Sequence, residues 1–137
     1  MADTSGDLVA RCLEVRQRAY APYSHFLVGA ALLTDLGVFT GVNVENASYG
    51  LTICAERSAM VAAVSAGARE IRAVAVSSSI GVSPCGACRQ CLREFARDEC
   101  PVTCVDEHGE VTIRTTMREL LPFAFTPSHL QPQAPSS

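Results

Sequence analysis

Two short segments, well separated along the chain, constrain what it can fold into: Cys54-Ala55-Glu56 and Pro84-Cys85-Gly86-Ala87-Cys88. Three thiolates can hold a zinc ion and leave a fourth position for water, which distinguishes a catalytic site from a structural one. To use them, the fold must bring both segments to one point. Cys85 and Cys88 lie three positions apart, so a first helical turn puts both sulfurs on one side. Cys54 and Glu56 lie two apart and would point in nearly opposite directions inside a helix. They face one metal only if a helix begins at about that point.

Two helix N-termini would then converge on the ion, where their positive ends lower thiol pKa and offset negative charge. Three thiolates on a divalent zinc leave net negative charge, which opposes deprotonation of a bound water. Arg57, beside Glu56, is placed to compensate by hydrogen-bonding the sulfurs. Glu56 has the chemistry of a proton shuttle for such a water. Plainer readings stay open at this point. A lone C-x-x-C is a weak signal, and Cys91 forms a second, overlapping one with Cys88, so Cys54, Cys85, Cys88 and Cys91 could make a structural four-thiolate site. Against that, Cys91 sits two turns in from Cys85, where its sulfur is expected to point into packing. Glu56 alone would read as an ordinary glutamate at a helix start; the two segments together overturn that default. Cys12, Cys100 and Cys104 read as core or surface residues with no part in metal binding.

The rest of the chain reads as alternating helices and strands. Leu8, Cys12, Val15 and Ala19 recur at helical spacing, and the Ala21-Pro22 step ends that helix. Residues 27–34 form a short apolar run suited to a buried strand, Asp35-Leu36-Gly37 a turn, and residues 38–44 a second strand of a hairpin. A helix is predicted over about 54–66, stopped by Gly67. A strand follows at 71–77, parallel to its predecessor if that helix is a crossover. A further helix is predicted over about 86–97, then strands at 102–105 and 111–115 around a turn at 106–109. Thr116 and Glu119 form a capping-box pattern before a short helix that Pro122 ends. The expected architecture is an α/β fold around one mixed five-stranded sheet. It occupies a single domain, residues 1–125, and a flexible tail rich in Pro, Gln and Ser follows at 126–137.

Composition narrows the function classes. The chain has 137 residues, enough for one domain with a real core. Its net charge is −3 and its basic residues are scattered, which argues against a nucleic-acid strand as partner and favours a small, nearly uncharged one. No apolar run approaches the roughly 18 residues of a membrane span. The first residues carry no basic or apolar signal pattern, so a cytoplasmic location is expected. Seven cysteines, an odd number, fit metal ligands and buried thiols better than a disulfide framework.

At the two cysteine segments the chain matches the signature of zinc base deaminases, one His or Cys, a Glu two residues on, then P-C-x-x-C. More widely it resembles the small cytidine deaminases, through PYSHFLVGAAL at 22–32, GVNVENASYGLTICAERSA at 41–59 and SPCGACRQCLREF at 83–95. The resemblance implies a three-layer α/β/α sandwich, assembled as a homotetramer with pockets shared between subunits, and one zinc per subunit held by Cys54, Cys85 and Cys88. It implies Glu56 as the proton shuttle in hydrolytic deamination of cytidine or deoxycytidine, a reaction of pyrimidine salvage. Asn43 and Glu45 match positions that hydrogen-bond the sugar hydroxyls, and Phe26 the aromatic that packs on the base. Ala55 belongs to the same substrate-contacting set. Phe125 resembles a C-terminal aromatic that reaches a neighbouring subunit's pocket, and Tyr49 falls in the pocket-lining stretch. The chain departs from the family pattern at Cys91, where an apolar residue is usual, and in a slightly short loop at 77–83. Rival readings are a deaminase of a modified cytosine nucleoside such as blasticidin S, an editing enzyme for cytosine in RNA or DNA, and a non-catalytic zinc module. Editing deaminases usually place His where Cys54 stands and need positive charge for a strand.

Overall fold

Side-chain alternation along three central strands sorts the core into two halves. The computed structural model describes residues 5–130. Its elements are α1 (Ser5–Arg16), β1 (Gly29–Thr34), β2 (Gly37–Val42), α2 (Ala55–Ser65), β3 (Ile71–Ser77), α3 (Gly86–Arg93), β4 (Pro101–Val105), β5 (Val111–Thr116), α4 (Met117–Leu120) and α5 (Pro127–Leu130), with a 3-10 turn at Tyr49–Leu51. The strands make one sheet in the order β2-β1-β3-β4-β5. Ala30 and Leu32 of β1, Val74 and Val76 of β3, and Val102 and Cys104 of β4 face one side, where they pack with Ala55, Ala59, Leu92 and Met117. Ala31, Ala75 and Val105 face the other, against Leu8 and Cys12 of α1. A period of two along each strand supplies both faces, so one helix layer lies on each side.

The hairpin predicted at Asp35-Leu36-Gly37 is present: β1 and β2 pair antiparallel with Thr34 opposite Gly37. Gly37 has φ 108°, a conformation glycine adopts without steric cost. β3 runs parallel to β2, as the crossover reading required, but β1 lies between them and pairs antiparallel with both. β3 and β4 are adjacent and parallel, joined through α3. The sheet is therefore mixed.

Several predicted ends are corrected. The first helix stops at Arg16 rather than Ala19, because Tyr20 leaves it to pair with Val44: its N–H donates to Asn43 O, and its carbonyl accepts from Glu45 N. The helix predicted to reach 97 ends at Arg93. There Phe95 O accepts from Ile71 N, and the Arg93 guanidinium donates to Ala96 O, so the chain turns towards the sheet. β1 begins at Gly29 and β2 ends at Val42, two residues inside the predicted runs. The N-cap half of the predicted capping box is present, with Thr116 Oγ1 accepting from Glu119 N, while the Glu119 carboxylate accepts from the Thr115 hydroxyl. Of the expected tail, residues 127–130 form one helical turn and 131–137 lie outside the described residues. Among the described residues, no helix is long and apolar enough to cross a membrane.

Candidate active site

The three thiols meet where two helices begin. Cys54 is the residue before α2, in extended conformation (φ −77°, ψ 156°), and Cys85 stands likewise before α3 (φ −68°, ψ 167°). Cys88 lies in the first turn of α3 and is fully buried. The sulfurs of Cys54, Cys85 and Cys88 all lie within 4.8 Å of one another, and Cys54 and Cys85 are 3.9 Å apart. Thiolates about 2.3 Å from a tetrahedral zinc are separated by about 3.8 Å, so the spacing fits that ion. Cys91, one turn further along α3, is not part of this cluster. The helix start that Cys54 and Glu56 required is present at Ala55, and it puts both beside the cluster.

The electrostatics also fit a cation. Arg57 Nη2 donates to Cys54 Sγ at 3.6 Å, and its buried Nε has no acceptor among the described residues. The Cys88 thiol donates to Cys54 and, with Arg57, holds Cys54 down to about 5. Cys88 is pushed up because it keeps the shared proton. A site that already favours one thiolate beside an arginine and two helix N-termini is prepared for a metal that takes three. Glu56 is only 4% exposed, and burial pushes its carboxyl up to about 7. A carboxyl that binds and releases a proton near neutrality suits general acid-base work.

Beside the thiols lies a cavity of ≈ 200 Å³ lined by Cys54, Ala55, Glu56 and Cys85 together with Phe26, Asn43 and others. Six of the sequence-predicted residues thus share one wall. Glu45 borders an adjoining hollow with Tyr23, Ser24 and Tyr49, and Thr52 lines both spaces. Asn43 closes the strand end: its Oδ1 accepts from Val28 N at 2.9 Å, and its Nδ2 donates to Phe26 O at 2.7 Å. The backbone of 26–28 is thereby tied to the end of β2, where the Asn43 N–H also donates to Val28 O. His25, with φ 60°, turns the chain just ahead of Phe26. The Glu45 carboxylate accepts from the N–H groups of Tyr23 and Ser24 and from the Ser24 hydroxyl. The Ser24 hydroxyl is the main reason its pKa is lowered.

Phe125 does not reach this cavity in its own chain. It is more than half exposed, its carbonyl accepts from Gln90 Nε2, and its ring stacks on His129. A larger hollow of ≈ 560 Å³ near Phe123 holds no thiol. Its arginines, Arg93 and Arg118, both pair with Asp98. Cys54, Cys85 and the buried carboxyl therefore border the smaller cavity and not the larger one. Sequence reading missed Thr52, Val28, Val76, Val82 and Ser83 as cavity walls, since nothing separates them from ordinary strand and loop residues. It also missed Arg89. Arg89 donates to Pro84 O, Ser83 Oγ and Leu120 O, and the position one residue past Cys88 gives no hint of that.

The family profile described as cytidine and deoxycytidylate deaminase zinc-binding region matches residues 3–104. A cytidine deaminase of Sporosarcina psychrophila is 45% identical over 126 residues, spanning 90% of this chain and 92% of its own. One from Halalkalibacterium halodurans is 47% identical over 122 residues, 87% and 92% of the two chains. The crystal structure of cytidine deaminase from Burkholderia pseudomallei superposes with a TM-score of 0.83 at 45% identity, covering 90% of this chain and all of that one. A blasticidin-S deaminase of Bacillus cereus is more distant, 34% identical over 110 residues, 72% of this chain and 76% of its own.

Proposed function

Because the chain belongs to the zinc-binding cytidine and deoxycytidylate deaminase family, we propose that it converts cytidine or deoxycytidine, with water, to the uracil nucleoside and ammonia. The observation that supports this most directly is the three-thiol cluster with a buried carboxyl at its edge, opening on one small cavity. Cys54, Cys85 and Cys88 hold the zinc, which when bound supplies the Lewis acidity that makes water nucleophilic at neutral pH. Arg57 offsets the excess negative charge of the three thiolates.

The chain's own groups do the rest. The base lies against Phe26, with Ala55 at the floor beside it. Asn43 uses one donor and one acceptor to hold the 26–28 backbone, so a second N–H and a second lone pair remain for the sugar. Glu45 is held rigid by three donors and offers its remaining acceptor capacity to a sugar hydroxyl. Glu56 would take one proton from the attacking water and deliver it to ring N3, then take the proton of the new C4 hydroxyl and pass it to the 4-amino group, which leaves as ammonia while the C4 carbonyl forms. The backbone dipoles of α2 and α3 stabilise charge at the reacting carbon. No Lys, Arg or His is among the described residues lining the two hollows, and Glu45 is anionic, which supports free nucleosides over phosphorylated ones.

The residues up to 125 form the catalytic domain, and the enzyme works as a homotetramer in the cytoplasm, in pyrimidine salvage. The exposure of Phe123, Phe125, Tyr49 and Leu51 on one chain supports the assembly. Seven cysteines, three of them metal ligands, support a reducing compartment. The decisive variant is Glu56→Ala. It should keep its zinc, measured by metal analysis, and lose nearly all turnover; an active Glu56→Ala enzyme would overturn the assignment of the shuttle.

A further inference from the structure

The three thiols are not equally well held. Cys88 is fixed by burial in α3, and Cys54 has Arg57 against its sulfur. Cys85 is exposed, stands in extended backbone ahead of the helix and makes no capping hydrogen bond. The residue before it, Pro84, has no N–H to anchor the turn. What grips this turn is Arg89. Nε donates to Pro84 O at 2.7 Å, Nη2 to Ser83 Oγ at 2.9 Å and Nη1 to Leu120 O at 2.8 Å. Leu120 ends α4, a helix seated by fully buried Met117 and capped by Thr116. Its terminal carbonyl would otherwise lack a helical partner.

We propose that Arg89 is a positioning residue for the zinc ligands: its guanidinium ties the Ser83-Pro84 turn to the end of α4 and so sets Cys85 against Cys54 and Cys88. This rests on the reading of those three cysteines as ligands. The role belongs to the shape of the group. A planar fork reaches three acceptors in fixed directions, whereas a lysine ammonium has the charge without the fork. Arg57 and Arg89 therefore serve the site differently, one by charge at a sulfur and the other by geometry at the backbone.

The test is the rate at which the purified holoenzyme gives up zinc to a chromophoric chelator. Arg89→Met should release zinc at least tenfold faster than wild type, and Arg89→Lys should do the same despite its charge. Ser83→Ala, which removes one of the three bonds, should release it a few-fold faster. Arg93→Met is the control on the same helix, because Arg93 also ties backbone and Asp98 but not the turn. It should lower Tm without speeding release. Equal release from the Arg89 and Arg93 variants at matched loss of Tm would overturn the proposal, and so would wild-type release from Arg89→Lys. If Arg89→Met does not fold, unchanged release from Ser83→Ala overturns it alone. A wild-type protein that binds no more zinc than Cys88→Ala would instead remove the ligand assignment, and the brace with it.

Discussion

The surroundings of each cysteine set its chemistry. Cys54 sits at a helix start beside Arg57, where its thiolate is favoured, and the sulfurs of Cys85 and Cys88 cluster against it. Cys12, Cys100 and Cys104 are buried in the packed core, and burial pushes them to about 11, 12 and 11 from an ordinary 9.0. The unfolded chain loses these three protons first as pH rises past 9, so each thiol lowers folding stability by about 1.4 kcal/mol per pH unit until its folded pKa is reached. The contribution is intact below pH 9 and lost between 9 and about 11 for Cys12 and Cys104, and between 9 and about 12 for Cys100. Tm should fall steeply across that window, and Cys104→Ala should flatten the slope; an unchanged slope would refute the assignment. Arg57→Gln should weaken zinc retention, read by equilibrium competition with a chelator, and unchanged retention would remove its role as charge compensator. The clustering of these three thiols was legible because metal chemistry restricts both residue type and spacing. Arg89 and Thr52 were not, since their roles depend on backbone atoms and cavity walls that no local pattern records.

Among the elements, α2 matters most, because Cys54 precedes it directly and Glu56 lies in its first turn. It can lie close on β2 only because position 41 lacks a side chain: a Cβ there would meet Ala59 N at 2.3 Å and Ala55 O at 2.8 Å. Gly41→Ala should therefore push α2 off the sheet, cost about 1–3 kcal/mol or more, and reduce zinc content together with Tm. Gly50→Ala, where a Cβ meets nothing within 4 Å, is the matched control and should change neither. Existence and order of the elements followed from periodicity and turn chemistry. Their ends did not, because side chains and distant backbone decide them. Asn43 takes over pairing from β2, Tyr20 leaves α1 for Val44, and Arg93 closes α3.

The whole molecule leaves apolar side chains in water that a lone chain has no use for. Phe123 is fully exposed, and Leu51, Tyr49 and Leu130 nearly three-quarters so. Sedimentation should find a tetramer. Phe125→Ala should raise KM by roughly tenfold, the effect of removing about 1.4 kcal/mol of aromatic contact from a neighbour's pocket; an unchanged KM would mean that Phe125 stays with its own chain. The account turns on zinc-dependent deamination of a free cytosine nucleoside. The most direct measurement follows the ultraviolet absorbance of cytidine mixed with the purified protein, beside a sample stripped of zinc and a third with zinc restored. Loss of the cytosine band in the first and third samples, and not in the second, is the predicted result. A folded, zinc-loaded protein that leaves both cytidine and deoxycytidine untouched would contradict the account, and turnover of blasticidin S by that protein would reassign the site to a modified nucleoside.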